Sequence, residues 1–436
     1  MEAAFRSPGD KSIAHRALFL AALADGRSEI GNIPGSGDLA STRSVLEALG
    51  TRIEPIGPDR CAVGAPTEWR APAEPLECGN SATTARLVAG LLVGLGLPAT
   101  LRGDGSLSRR PMDRVVYPLQ AMGGRIRYGA EAGRLPIVLE PRSSGALRVL
   151  RYRSRVASAQ VKSALLLAAV ASDTEVEIRE PAATRDHTER LLAALGAPVE
   201  FGPLPEGGAR ARLARRAAGG KRRAATPLPG FELELPGDIS SAAFLVAAAL
   251  LTGRRVRIGA VGLNPTRTGV LDVLRGAGAR IEARVEEERL GEPVGTIEVE
   301  PGAVMPLRIG ADAATRCIDE IPVLAVLAAR APGITEIEGA AELRVKESDR
   351  LTLVAENLRA LGVTCEERRD GLRIEGSDRP LAGRVRTDGD HRIAMAFGVL
   401  GAAPDCEVEV DDPGAVDVSY PEFWRDLARL VGEDPR

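Results

Sequence analysis

Aromatic residues are scarce in this chain, 3% of 436 positions, so its core has to be built from Ala, Leu and Val. Without rows of rings for bases to stack on, nucleic acid is not expected as a partner. The five cysteines (Cys61, Cys78, Cys317, Cys365, Cys406) form no C-x-x-C pair and no metal spacing, which points to buried thiols in a reducing, cytoplasmic setting. Three histidines (His15, His187, His391) stand too far apart for a metal motif, and each adjoins an Arg or Asp, so structural or supporting roles are expected and no metal is. No run of 18 apolar residues occurs, and no charged-then-apolar leader is legible at the start, so neither a membrane span nor secretion is expected. The net charge of −3 gives no whole-molecule attraction for anions. Cations for an anionic ligand would have to be gathered locally.

Lysine is the scarcest charged residue. Of 57 basic residues only Lys11, Lys162, Lys221 and Lys346 are lysine. Each is a candidate for a place that needs a compact ammonium able to move a proton, which a guanidinium cannot do. The remaining composition, 44% hydrophobic and 27% charged, is that of an ordinary globular protein, and 436 residues are too many for one core. Two domains are expected.

Internal repeats organise the chain. A short amphipathic helix closed by Gly and followed by a strand recurs as Thr42 to Glu54, Asp113 to Tyr128, Thr188 to Phe201, Arg267 to Ala283 and Asp349 to Glu367, with a weaker sixth copy from Phe423 to Gly432. The closing glycines are Gly50, Gly123, Gly196, Gly278, Gly362 and Gly432, spaced by 73, 73, 82, 84 and 70 residues. Between them lie six helices apolar nearly all round: Ala14 to Ala24, Thr83 to Leu95, Gln160 to Ala171, Ala242 to Leu251, Ile321 to Ala331 and Arg392 to Gly401. A helix without a polar face must be buried among other elements. The unit reads as apolar helix, strand, amphipathic helix, strand, strand, three times from about residue 10 to 230 and three times from 236 to 430. Glu206 to Pro229 interrupts the spacing with Gly, Pro and seven basic residues, and reads as a solvated loop or hairpin.

The turn Pro8-Gly9-Asp10 runs into the first apolar helix, and Pro236-Gly237-Asp238 repeats it at the fourth. Asp10 or Ser12 can cap the helix, and a capped helix start offers unpaired N–H groups and positive dipole to an anion. Lys11 and Arg16 flank the first copy, making it a phosphate or carboxylate site; Ile239 and Phe244 stand at the matching places of the second, which is read as structural. Polar residues gather at the other apolar helix starts too, in Gly79 to Arg86, Ser158-Ala159-Gln160, Asp319-Glu320 and Asp390-His391-Arg392. If each domain's helices run parallel, these starts converge on one face, and two such faces would enclose an electropositive cleft. Asp319 reads equally as a helix cap. A helix beginning at Lys346 would set Lys346 and Arg350 one turn apart, and Glu347 with Arg350 reads equally as an intrahelical salt bridge.

Eight stretches carry a resemblance: PGDKS, GDGSLSRRPM, SAQVKSA, TRDHTE, NPTRTG, RVKESDR, DHRIAM and SYPEF, in that order. From Ser7 to Phe423 the chain resembles the 5-enolpyruvylshikimate-3-phosphate synthases. That resemblance implies two inverted, inside-out α/β barrel-like domains of three repeats each: 10–235 on the shikimate 3-phosphate side, and 1–9 plus 236–436 on the acid/base and phosphoenolpyruvate side. It implies transfer of the enolpyruvyl group of phosphoenolpyruvate to the 5-hydroxyl of shikimate 3-phosphate, with release of phosphate, on the route to chorismate and aromatic amino acids. No cofactor is implied, and a cytoplasmic monomer is expected.

The resemblance also implies roles. Lys11, Ser12 and Arg16 hold shikimate 3-phosphate, with Lys11 also near phosphoenolpyruvate. Ser158, Ala159 and Gln160 meet the phosphate of shikimate 3-phosphate with Arg185, while Asp319 and Lys346 contact its ring hydroxyls. Arg110, Arg350 and Arg392 clamp phosphoenolpyruvate, which sits against Ala82 and near Gln160. The two ligands together carry roughly −5 to −6, against seven candidate cations. Asp319 is read as base toward the 5-hydroxyl, and Glu347, with Lys11 or Lys346, as the proton relay to carbon.

Three positions depart from the family's common pattern. Ala82 stands where many members have Gly, its methyl facing the phosphoenolpyruvate pocket, which implies tolerance of the longer inhibitor glyphosate. Ala159 replaces a common Ser, and Val418 a common Lys whose loss weakens phosphoenolpyruvate binding. The sister enolpyruvyl transferases acting on UDP-N-acetylglucosamine usually carry a Cys in the mobile loop, and Arg102 to Arg114 has none. A non-catalytic phosphometabolite binder would be expected to lose Asp319, Glu347, Lys11 and Lys346, and all four are present.

Overall fold

Every one of the six apolar helices is sunk in its surroundings in the computed structural model, which describes residues 3–142, 146–215 and 228–432. Tertiary contacts divide the chain into two units. The first comprises Lys11–Leu235 and Arg289–Glu292; the second comprises Met1–Asp10, Pro236–Glu288 and Pro293–Arg436. Two residue groups fall differently from the boundaries read in the sequence. Asp10 joins the second unit because its N–H donates to the Pro236 carbonyl at 2.8 Å and its carboxylate accepts from Arg267 at 3.0 Å. Residues 289–292 join the first, where Glu292 pairs with His187 at 2.7 Å, both fully buried.

In the first unit the helices are α1 (Lys11–Leu23), α2 (Gly37–Ala48), α3 (Ala82–Leu95), α4 (Asp113–Met122), α5 (Ala159–Ser172) and α6 (His187–Ala194). Apolar α1, α3 and α5 alternate with amphipathic α2, α4 and α6, and one hydrophobic cluster runs through all six. Gly90 and Gly94 let α3 lie against α5: a Cβ on Gly90 would come within 2.1 Å of the Ala164 carbonyl oxygen. Three four-stranded sheets flank the helices, each with one outer strand parallel to its neighbour and the remaining pairs antiparallel.

The second unit repeats the pattern with α7 (Ile239–Thr252), α8 (Gly269–Gly276), α9 (Ala311–Arg316), α10 (Ile321–Ala329), α11 (Arg350–Ala360), α12 (His391–Gly401) and α13 (Phe423–Val431). Apolar α7, α10 and α12 share a separate core. The short helix α9 has no counterpart in the repeat read from sequence. Here two sheets have four strands, the first using Ala3–Arg6 as its parallel edge, while the third is a two-stranded parallel pair, Ala382–Val385 with Glu407–Val410. Counting also the two-stranded pair of Ala24–Asp25 with Leu228–Pro229 in the first unit, the strands among the described residues form seven separate sheets, so the ladders close no continuous barrel.

All six closing glycines sit in the left-handed region, with φ between 78° and 110°. That backbone position is nearly free for Gly and strained for other residues, which is why the helices stop where the repeat places them. The two Pro-Gly-Asp turns lie side by side: Asp10 N–H donates to the Pro236 carbonyl, and Asp238 N–H returns a bond to the Pro8 carbonyl at 2.7 Å. The buried Arg267 guanidinium joins both carboxylates, to Asp10 at 3.0 Å and Asp238 at 3.0 Å. Asp10 is thus engaged by an ion pair, while Asp238 caps α7 through the Ser240 N–H. Among the described residues no helix is long and apolar enough to cross a membrane, and no cluster of three His, Cys, Asp or Glu side chains is arranged to hold a metal ion. All five cysteines are free and buried.

Candidate active site

The sequence-predicted residues fall into one group in each unit. In the first, the opening turn of α1 leaves Lys11 and Ser12 half-buried, while Arg16 one turn further is buried. Lys11 Nζ donates to Asp38 Oδ2 at 2.9 Å, and the Asp38 carbonyl accepts from Thr84 at 3.3 Å, tying the start of α1 through α2 to the start of α3. Arg16 spreads its guanidinium over three acceptors: Thr188 Oγ1 at 2.9 Å, Ser163 Oγ at 3.0 Å and the Ser12 carbonyl at 2.7 Å. Arg185 donates to Ser12 Oγ at 3.3 Å. Lys11, Ser12, Arg16 and Arg185 are therefore neighbours.

A second subset surrounds the start of α3. Ser81 caps that helix through the Thr84 N–H, and Ala82, its first residue, is almost buried. Gln160 Nε2 donates to Thr83 Oγ1 at 2.9 Å, and its Oε1 accepts from Arg86. Arg110 donates to Asn80 Oδ1, with Asn80 Nδ2 on Asp104 at 2.9 Å. Ser158 occupies the N-cap position of α5, so Ser158, Ala159 and Gln160 form its opening turn, all half-buried.

In the second unit the group is an ion network. Asp319 Oδ1 accepts from Lys346 Nζ at 3.2 Å and Arg350 at 3.1 Å, and the Asp319 carbonyl accepts from Arg392 at 3.3 Å. Arg350 also donates to Glu347 at 2.6 Å and to both oxygens of Asp390, at 2.8 and 3.2 Å. Burial alone would lower the Arg350 pKa, but Asp390, Glu347 and Asp319 outweigh it and raise it. Burial likewise pushes the Asp390 carboxyl up, and the Arg350 charge overcomes that and holds it below the usual range. Asp390 also caps α12 by accepting from the Arg392 N–H.

Two local expectations are corrected. Lys346 does not share a helix with Arg350: a 3-10 turn over Ala341–Val345 ends at extended Lys346, and α11 begins only at Arg350. Asp349 decides this by capping the Thr352 N–H at 3.1 Å, so Glu347 pairs with Arg350 from ahead of the helix. Asp319 does not stand at the N-cap of α10, which is Glu320; it lies in the 3-10 turn Ile318–Glu320, with its carboxylate on Lys346 and Arg350. The basic stretch divides: Arg210 and Arg212 lie on the strand Ala209–Leu213 and pair with Glu200 and Glu175, while 216–227 lie outside the described residues. Val418 ends a 3-10 turn and is 37% exposed.

Sequence reasoning passed over Asp38, which orients Lys11, and placed Arg86 and Asp390 only among the polar helix starts, without their roles in orienting Gln160 and Arg350. Arg86 had a signal, an arginine inside an otherwise apolar helix. Asp38 had none, because its partner is 27 positions away.

Chemically, the first group is rich in cations and hydroxyls suited to phosphate, and the second interleaves carboxylates, a lysine and arginines suited to proton transfer. A family model described as EPSP synthase (3-phosphoshikimate 1-carboxyvinyltransferase) matches residues 1–427. The 3-phosphoshikimate 1-carboxyvinyltransferase of Thermus thermophilus is 47% identical over 428 residues, covering 98% of this chain and 95% of that one. That of Synechococcus sp. is 45% identical, covering 99% and 96%. A solved structure of EPSP synthase from Acinetobacter baumannii is similar with a TM-score of 0.82 and 34% identity, over 98% of this chain and 95% of that chain.

Proposed function

The chain belongs to the EPSP synthase family, transferring enolpyruvyl from phosphoenolpyruvate to shikimate 3-phosphate, and from that premise we propose which of its residues perform each step. Lys11, Ser12, Arg16, Ser158, Ala159, Gln160 and Arg185 hold shikimate 3-phosphate, with Asp319 and Lys346 on its ring hydroxyls. Lys11, Ala82, Arg110, Gln160, Arg350 and Arg392 receive phosphoenolpyruvate. The observation that carries the assignment is the Asp319 carboxylate, nearly buried yet meeting Lys346 and Arg350 within 3.2 Å.

In the addition step the 5-hydroxyl oxygen bonds to C2 of phosphoenolpyruvate, its proton passing to Asp319, while C3 takes a proton from Glu347, relayed by Lys11 or Lys346. In the elimination step C3 returns its proton to Glu347, the C2–O bond to phosphate breaks, the enol double bond re-forms, and the proton held on Asp319 passes to the departing phosphate. The sum is one enol ether and one inorganic phosphate. Lys346 and Arg350 support an ionised Asp319 during hydroxyl attack, and the half-exposed Glu347 can exchange protons. The enol phosphate is already activated, so the residues need supply only orientation, charge and protons.

Ala82 adds a methyl at the first residue of α3, and the expected consequence is tolerance of glyphosate. Inhibition curves of the wild type and Ala82→Gly test it; equal sensitivity of the two would remove the idea. A cytoplasmic monomer is expected, and sedimentation of the purified chain checks the monomer. The functional test is phosphate release from phosphoenolpyruvate with and without shikimate 3-phosphate, by wild type and Asp319→Ala. Release that needs both substrates and collapses in the variant supports the reading; release indifferent to shikimate 3-phosphate would overturn it.

A further inference from the structure

Lys162 lies in the second turn of α5, and its ammonium meets acceptors from three other places in the chain. Its Nζ donates to Glu180 Oε2 at 2.6 Å, is 2.9 Å from Glu189 Oε1, and lies 3.5 Å from the Thr184 carbonyl. The three charged side chains are 3%, 2% and 1% exposed. The other oxygen of Glu180 accepts from Thr184 Oγ1 at 2.6 Å. A strand end, a loop and the helix α6 are thus knotted to α5 at one point.

Both arginines assigned to the shikimate 3-phosphate grip adjoin this knot. Arg185 follows Thr184 directly. Arg16 is held by Thr188 and Ser163, the sequence neighbours of Glu189 and Lys162, and those two hydroxyls are themselves 2.7 Å apart. Stability alone is a weak reason for such a knot, since burying ions costs several kcal/mol each before their attraction repays it, and apolar residues often serve as well. What it supplies is fixed geometry. A single ammonium offers three donors from one point, matching two carboxylates and a carbonyl, whereas a planar guanidinium spreads its donors along a fork. That accounts for a lysine here in a sequence that otherwise uses arginine.

We propose that Lys162, with Glu180 and Glu189, is a positioning device that holds Arg185 and Arg16 in place for the phosphate of shikimate 3-phosphate. The inference rests on the functional reading above. Lys162 does not touch substrate; it acts through Thr184, Ser163 and α6.

Steady-state kinetics of the wild type, Lys162→Met, Lys162→Arg and Glu180→Gln, with both KM values and a calorimetric titration of shikimate 3-phosphate alone, test it. The KM and Kd for shikimate 3-phosphate are expected to rise tenfold or more in both lysine variants and a few-fold in Glu180→Gln, with the KM for phosphoenolpyruvate within twofold of wild type. Should Lys162→Met fail to fold, Glu180→Gln, which keeps the side-chain shape, and Lys162→Arg, which keeps the charge, carry the test. Equal rises in both KM values, a change confined to kcat, or an unchanged KM for shikimate 3-phosphate in the folded variants would overturn the proposal. Wild type that turns over neither substrate would refute the functional reading itself, and the inference with it.

Discussion

Lys162 in the first unit and Arg350 in the second are both buried cations ringed by carboxylates, but the rings differ in what they leave to solvent. Around Lys162, Glu180 and Glu189 are as buried as the lysine. Around Arg350, Asp390 is fully buried while Glu347 is 28% exposed and Asp319 is shared with the half-exposed Lys346. A closed ring can only hold neighbouring backbone and side chains still. A ring with one open edge can fix a carboxylate on its closed side and exchange protons on the other. The same local chemistry thus reads as scaffold in one unit and as acid/base machinery in the other.

The most severe test of that contrast is Asp319→Ala, on the open edge, for which a fall in kcat of about 10²–10⁴ is expected, with a much smaller loss of shikimate 3-phosphate affinity from the missing ring-hydroxyl contact. Phosphate release and calorimetry read the two effects separately. Arg350→Met strands the buried Asp390 and should cost about 3–5 kcal/mol of stability, read as a lower urea midpoint. Lys162→Met should cost less. Burial keeps the Glu189 carboxyl above its usual range even beside Lys162, so little ionic stabilisation is lost there, whereas the depression of Asp390 below its usual range is the contribution of Arg350 and goes with it. Equal losses in the two variants would erase the contrast.

His15 sharpens it from a third side, as a buried base that stays neutral. Its Nδ1 lies 2.7 Å from Thr42 Oγ1, and desolvation lowers its pKa to about 3 despite the nearby Asp38. Since the unfolded side chain titrates near 6.5, this stabilising contribution is complete above that pH and declines as pH falls toward 3, amounting to about 2 kcal/mol lost by pH 5. The urea midpoint of His15→Asn should fall less than that of wild type between pH 7 and pH 5. The smallest expected effect is at an exposed position. Val418→Lys should lower the KM for phosphoenolpyruvate by about two- to fivefold, the scale of a solvent-screened charge contact.

The repeat architecture was legible because its signals are local. Gly50 through Gly432 stop helices by a backbone preference belonging to glycine alone, and a helix such as Ile239–Thr252 announces its burial by lacking a polar face. The strand partnerships were not legible, since they pair distant stretches: Glu232–Glu234 lies beside Arg27–Gly31, and the last repeat forms only two paired strands. At the site, the motif residues were legible as types and spacings. Their local conformations were not, because a capping Asp349 moved the helix start away from Lys346, and because Asp319 is drawn to Lys346 and Arg350. Lys162 stood out in the sequence as a retained lysine, yet its structural partners are two glutamates held out of water, and spacing gave no hint of them.

The side-by-side Pro-Gly-Asp turns carry a consequence for the order in which the molecule is made. The second unit takes its edge strand, Ala3–Arg6, from a stretch translated some 250 residues ahead of its partner, Val256–Gly262. The first unit is continuous except for residues 289–292 and can assemble most of its core while the ribosome is still translating. The opening strand must meanwhile wait unpaired, an exposed edge for as long as translation takes to reach residue 262, roughly 10–50 s at 5–20 residues per second. Arg6, at the end of that strand, places a charge on it during the wait.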